Sequence, residues 1–346
     1  MADLKTKFAG LELKNPIIIG ASNLVTEPEN LVNLEKAGAA AIVYKSLFEE
    51  QIQLEGYQLD NTLGKYSHWD SEHETMFPQV EHAGPDEHLL RLKKAKRLLS
   101  IPLIGSLNCV QRNTWSEYAV KMADTGIDAL ELNFYASELT REAEPHLIEE
   151  NQVETLRAIK RAIKIPVIVK LSPFYTNTLR HITELGHAGS NGFVLFNRLF
   201  QPDIDIEKEE HHFPYNFSNE NDNRLALRYA GLLFGKSKAA VCCNTGILNG
   251  GDVVKMILAG ADTVQVVSAI YKKGIHHISH MLSDIESWME KKNYTSLGQF
   301  RGKLSKEKLS DPFVYKRAQY VDILMKSEIF AHYHPKEGEF EDETNT

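Results

Sequence analysis

At 346 residues with 42% hydrophobic side chains, the chain can bury the core of one large barrel or of two smaller domains. Its formal net charge is -8, about half of it in the Glu337–Glu343 tail, which argues against a nucleic-acid partner held by phosphate contacts. Cys109, Cys242 and Cys243 show no metal, redox or disulfide spacing, and neither an apolar signal segment nor a run of membrane-helix length is present; a soluble, cytoplasmic protein with no membrane, metal or iron–sulfur partner is expected.

In chain order, Phe8–Ile18 reads as a short hairpin that closes one end of the molecule. Short apolar strands are predicted at Pro16–Gly20, Ala41–Tyr44, Pro102–Leu107, Ala129–Asn133, Pro166–Leu171, Gly192–Asn197, Ala239–Asn244 and Thr263–Val267. Their Val, Ile and Leu with little polar alternation suit strands buried on both faces of a parallel sheet. Amphipathic helical stretches lie between them at Glu87–Leu99, Ser116–Asp124, Glu150–Ile163 and Asp252–Leu258. Glycines 38, 126 and 260 supply left-handed helix exits, and the prolines at 102 and 166 open strands. Adjacent Cys242 and Cys243 would point to opposite faces of their strand, as small packing residues. Two connections, Leu47–Gly84 and Arg198–Asn223, are long enough to form lids. Beyond Ile270 the pattern predicts a helix to about Lys292, then a polar region. Eight βα units predict a (β/α)8 barrel over residues 1–330 as a single domain, in preference to an open doubly wound sheet, with 331–346 an acidic tail.

The chemistry is expected at the C-terminal ends of those strands. They read Ala21-Ser22-Asn23, Lys45-Ser46, Ser106-Leu107-Asn108, Glu131-Leu132-Asn133, Lys170-Leu171-Ser172 and Phe196-Asn197-Arg198. Inward-facing amides and ammonium groups are costly to bury unless a ligand or water satisfies them. The last two strands end in Asn244-Thr245-Gly246-Ile247 and Ser268-Ala269, short side chains that expose backbone N–H groups to a phosphate. Amides suit a ring that alternates N–H and C=O groups, and a lysine suits charge accumulating on it. With a phosphate cradle and no strand–GxGxxG–helix unit, FMN fits better than a dinucleotide.

At these residues the chain resembles the dihydroorotate dehydrogenase family of FMN-dependent barrels over roughly residues 4–320, and within it a divergent dihydroorotate dehydrogenase-like branch. The resemblance is carried by Lys14-Asn15-Pro16-Ile17 with Ala21-Ser22, by Lys45-Ser46, Asn133, Lys170-Leu171 and Asn197, by the Asn197–Asp205 signature, and by the turns at 245–247 and 268–269. It implies cofactor contacts from Ala21, Ser22, Lys45, Ser46, Asn108, Asn133, Lys170, Asn197, Thr245, Gly246, Ile247, Ser268 and Ala269. It also implies a homodimer and oxidation of dihydroorotate to orotate, with a hydride passing to the flavin while a base removes the neighbouring proton. Where the family reads Asn-x-Ser-Cys/Ser-Pro-Asn, this chain has Asn133-Phe134-Tyr135-Ala136-Ser137-Glu138, so Ala136 stands at the base position. Ser137, Tyr135 and Glu138 are the substitute bases within that loop, beside Lys45 and Lys170, and another cyclic imide-like substrate is the matching alternative.

Two readings from other classes compete. One is a Schiff-base or other non-redox barrel enzyme that uses Lys45 or Lys170 on a phosphorylated substrate; the other binds flavin without turnover. His276, His277 and His280 have helical spacing without an acidic partner and are expected on a solvated or interface helix. His68, Trp69, His73 and Phe77 are expected in the first lid, and His211-His212 in the second.

Overall fold

Runs of aliphatic residues bounded by Pro, Gly and polar turns form eight parallel strands: β1 (Ile17–Ile19), β2 (Ala41–Val43), β3 (Leu103–Asn108), β4 (Ala129–Phe134), β5 (Val167–Leu171), β6 (Gly192–Leu195), β7 (Ala240–Cys243) and β8 (Thr263–Val266). The computed structural model describes residues 2–53, 84–109, 111–135, 144–198, 203–212, 217–311, 313–316, 321 and 325. Each strand pairs with its successor, and β8 returns to β1 in the register Val264↔Ile17, so the sheet closes on itself. A two-residue strand, Leu47–Phe48, extends the sheet alongside β3. With helices crossing between the strands this is the (β/α)8 barrel that the sequence predicts.

The alternation of side chains along each strand divides the core in two. Facing inward, Ile18, Val43, Ile104, Ala129, Ile168, Val194 and Cys242 form an apolar plug, sealed from below by Phe8, Ala9 and Leu13. Facing outward, Ile17, Leu103, Leu130, Val169, Leu195 and Val264 pack under helical residues such as Leu34, Met122, Leu156 and Ile257. Each fully buried aliphatic side chain stabilises the fold by about 1.5–3 kcal/mol. Cys242 therefore lies inside the barrel and Cys243 outside it, as predicted. Burial pushes the Cys242 thiol up to about 12 and raises that of Cys243, which suits packing rather than reactivity.

The sealing hairpin is Thr6–Phe8 with Leu11–Leu13, turned at Ala9 and Gly10 with positive φ; the residues from Ile17 onward, included in the predicted hairpin, belong to β1 instead. The helices around the barrel run at Pro28–Lys36, Pro85–Leu98, Arg112–Ala123, Pro145–Ala162, Thr178–His187, Arg224–Leu233 and Gly250–Ala259. Three of them carry Pro in the first turn, where its missing N–H costs nothing. The single helix predicted beyond Ile270 is two, Ser268–Lys273 and His277–Lys291, separated where Gly274 takes a φ of 83°. The connection after β6 contains an unpredicted antiparallel hairpin, Asp203–Asp205 with Glu210–His212; it is largely exposed, and its alternation of Asp203 and Asp205 with Ile204 and Ile206 spans only four residues. Of the three histidines expected on a solvated or interface helix, His277 turns inward: it is 8% exposed, and its Nε2 lies 2.8 Å from the Leu248 carbonyl oxygen. His276 and His280 are exposed, and among the described residues no cluster of His, Cys, Asp or Glu could hold a metal. Nor is any described helix long and apolar enough to cross a membrane.

The entry to the connection after β2 is anchored by one carboxylate. Glu49 is 2% exposed and accepts hydrogen bonds from Gln111 N at 2.8 Å, Thr114 Oγ1 at 3.3 Å and Gln53 Nε2 at 3.1 Å. It thus caps the start of helix Arg112–Ala123 from another segment of the chain. Glu49→Ala is expected to lower unfolding stability in urea by about 2 kcal/mol through the lost cap and the orphaned donors. An unchanged unfolding midpoint would refute this role.

Candidate active site

The plug fills the lower barrel with methyl groups, but the next inward residues up the strands are polar. Ser106 follows Ile104 by two positions, Glu131 follows Ala129 and Lys170 follows Ile168. This change from apolar to polar side chains on one face defines the floor of the site. Ser46 Oγ and Ser106 Oγ are 2.7 Å apart, and Asn133 Nδ2 donates to both, at 3.3 and 2.8 Å. Asn133 and Lys170 are direct register partners on β4 and β5. Lys170 Nζ donates to Gln265 Oε1 at 3.1 Å and lies 3.6 Å from Glu131 Oε1.

Lys45 is half-buried above β2, and its Nζ has no hydrogen bond or ion pair among the described residues. Asn108 is half-buried at the end of β3 and Asn197 just beyond β6, where the Asn197 amide N–H donates to Leu171 O at 2.7 Å. Beyond β1, Ala21 is half-buried, and Ser22 Oγ is buried with no hydrogen-bond partner among the described residues. Tyr135, next after β4, is 37% exposed. Ala136, Ser137 and Glu138 lie outside the described residues, as do His68, Trp69, His73 and Phe77.

The turn after β7 is fixed from two sides. Thr245 and Gly246 have φ of 73° and 72°, and the Asn244 amide and the Thr245 hydroxyl both donate to Phe196 O at 3.2 Å. Gly246 O accepts from Asn223 Nδ2 at 3.0 Å, while Ile247 is buried behind the turn. After β8, Ser268 Oγ accepts from Ser218 N at 3.0 Å, and Ala269 is fully buried. Segment 217–223 thus buttresses the turn after β7 and the one after β8 at once. Its residues were not singled out from sequence, because a contact made at the far end of a long connection leaves no local pattern.

The family model for "Dihydroorotate dehydrogenase" matches residues 80–289, more than half of the chain. The chain belongs to the dihydroorotate dehydrogenase family. The catalytic subunit of dihydroorotate dehydrogenase B (NAD(+)) from Thermoplasma volcanium is 27% identical over 87% of this chain and 98% of its own length. The subunits of the same name from Methanocaldococcus jannaschii and Methanosarcina acetivorans are 25% and 27% identical, over 84% and 85% of this chain and 95% and 94% of theirs.

Members of the dihydroorotate dehydrogenase family are flavin-dependent oxidoreductases that act on CH–CH bonds, in pyrimidine biosynthesis. The strand-end residues singled out for that family from the sequence stand at one end of a single parallel barrel, as that topology requires. Residues not assigned a role from sequence are Ser106, Glu131 and Gln265. The signal for the first two was present, since period-two alternation back from Asn108 and Asn133 places them on the same inward face. Gln265 stands out only as a fully buried amide within β8.

Proposed function

We propose that this chain is an FMN-dependent dehydrogenase that oxidises dihydroorotate or a closely related cyclic imide. The observation that carries the proposal is the polar layer of Ser46, Ser106, Asn133 and Lys170 set directly above a plug that is apolar but for the Thr263 hydroxyl beside Cys242. Ser46, Ser106 and Asn133 bond to one another at the floor, and together with Lys170 they offer the mixed donors and acceptors that a polar ligand needs. Three further features fit the cofactor. Ser22 Oγ is a buried hydroxyl without a partner among the described residues. A Cβ on Gly246 would come within 2.6 Å of Asn223 N, so this backbone has room for no side chain. Amide, hydroxyl and ammonium groups together match a ring with both donors and acceptors.

In this reading Asn108, Asn133 and Asn197 orient the ring, and Lys45 and Lys170 place positive charge beside it. Ala21, Ser22 and Ser46 line its approach, while Thr245, Gly246, Ile247, Ser268 and Ala269 hold the phosphate. Bound FMN would supply the acceptor for the substrate's hydride. The chain's own task is then to orient the substrate carbon, exclude water and remove one proton. With Ala136 at the family's base position, Ser137, Tyr135 and Glu138 are the groups of that loop able to take it. Lys170 donates to an amide and faces a carboxylate, an arrangement that suits an ammonium rather than the free amine a Schiff base needs. The proposal extends to a homodimer acting on a small molecule.

Purified protein is expected to be yellow and to release FMN on heating. Anaerobic addition of dihydroorotate is expected to bleach the flavin absorbance within one turnover. Retained FMN with no bleaching would eliminate dihydroorotate as the substrate; a colourless protein that takes up no FMN would eliminate the cofactor.

A further inference from the structure

Glu131 on β4, Lys170 on β5 and Gln265 on β8 meet inside the barrel and are 0%, 7% and 1% exposed. Gln265 Nε2 donates to Glu131 Oε2 at 2.5 Å, and Gln265 Oε1 accepts from Lys170 Nζ at 3.1 Å. The amide is therefore oriented by both neighbours, since turning it over would set a donor against the ammonium. The other carboxylate oxygen, Glu131 Oε1, has no hydrogen bond among the described residues and lies 3.6 Å from the same ammonium. Both charges act on Cys242 in the plug below, with opposite sign.

Stability does not explain this arrangement. Desolvating a carboxylate and an ammonium costs several kcal/mol per ion, and apolar residues of similar volume would pack as well or better. The ion pair does have an electrostatic consequence. Lys170 is the least buried of the three, and it carries the positive charge assigned above to the cofactor ring. Glu131 opposes that charge from within the barrel, where screening by water and salt is weak.

We propose that Glu131, bridged to Lys170 by Gln265, is a positioning residue and counter-charge that limits how strongly the lysine favours the reduced flavin. The proposal rests on the FMN reading. The wild-type pair is neutral overall; removing Glu131 leaves one excess positive charge, and removing Lys170 leaves one excess negative charge.

The test is a double-mutant cycle on the FMN-loaded full-length protein, read as the midpoint potential of the bound flavin. Glu131→Gln is expected to raise the ratio of reduced to oxidised flavin at a fixed potential by about tenfold, an upward shift of about 30 mV for a two-electron couple. Lys170→Met is expected to move the ratio the other way, and the double variant to return towards the wild-type value. If Glu131→Gln fails to fold because it leaves Lys170 unpaired, the comparison of Lys170→Met with the double variant measures the Glu131 increment in a background without the lysine. A midpoint indifferent to Glu131 in both backgrounds, with FMN bound, overturns the proposal and leaves the flavin reading standing. A wild-type protein that binds no FMN overturns both.

Discussion

Gly246→Ala is expected to destabilise the protein by about 3 kcal/mol in urea unfolding and to weaken FMN binding at least tenfold. Two costs combine. At a φ of 72° an added Cβ crowds its own backbone, at about 1–2 kcal/mol. The same Cβ would stand 2.6 Å from Asn223 N and 2.7 Å from Asn219 O, both backbone atoms that no rotamer change can move. Relief would require segment 217–223 to shift, and that segment holds Gly246 O through Asn223 Nδ2 and Ser268 Oγ through Ser218 N. The damage would thus reach both turns assigned to the phosphate. Gly126→Ala provides the control. Gly126 also has positive φ, at 89°, but a Cβ there meets nothing within 4 Å, so only the conformational cost remains. Equal stability losses at the two positions, with FMN affinity intact in Gly246→Ala, would remove the steric argument.

The barrel was legible in the sequence because its signals are local and repeated. Pro102 and Pro166 stand just before β3 and β5, and Gly38, Gly126 and Gly260 close helices with positive φ. Each strand is an aliphatic run too short to be mistaken for a helix. The strand-end asparagines and lysines were legible for a related reason: in a parallel barrel all C-terminal ends meet, so chain order alone gathers them. What escaped depends on contacts distant in sequence. The hairpin 203–212 alternates Asp203 and Asp205 with Ile204 and Ile206 over too few residues to stand out, and Asn223 reaches Gly246 only through the packing of a long connection. The Glu131–Gln265 bond spans 134 positions. His277 was read with His276 and His280 as part of a solvated or interface helix because their helical spacing has no acidic partner, whereas its own ring turns inward to Leu248 O.

Two other histidines, neither assigned a role from sequence, set the response of the fold to acid. His181 is fully buried; its Nε2 lies 2.8 Å from Gln152 Oε1, an oxygen that also accepts from the Tyr175 hydroxyl. An acceptor there requires the proton on Nε2, and Nδ1 is buried with no partner to receive a second one. Burial lowers the His181 pKa to about 4, against a smaller opposing effect of Glu184. His88, 7% exposed and edge-on to the Tyr44 ring, is likewise lowered to about 4 by burial first, then by the charges of Lys45 and Arg91. Both imidazoles are neutral when folded, while the unfolded chain takes up protons near the ordinary value of about 6.5. The unfolded state therefore binds more protons between those two values, so stability rises with pH through that window and falls as pH drops through it. The contribution of each histidine is complete above the unfolded pKa, and about 2 kcal/mol of it is lost by pH 5. Urea unfolding of the wild type between pH 7 and pH 5 is expected to show the combined loss. His181→Phe keeps a ring in place without a titrating group, so its stability should fall about half as steeply as that of the wild type. Identical slopes in the two proteins would mean that His181 is not the buried neutral imidazole described here. At His88 there is also a local consequence, since protonating it would add a second positive charge near Lys45, whose own charge the proposed flavin site uses.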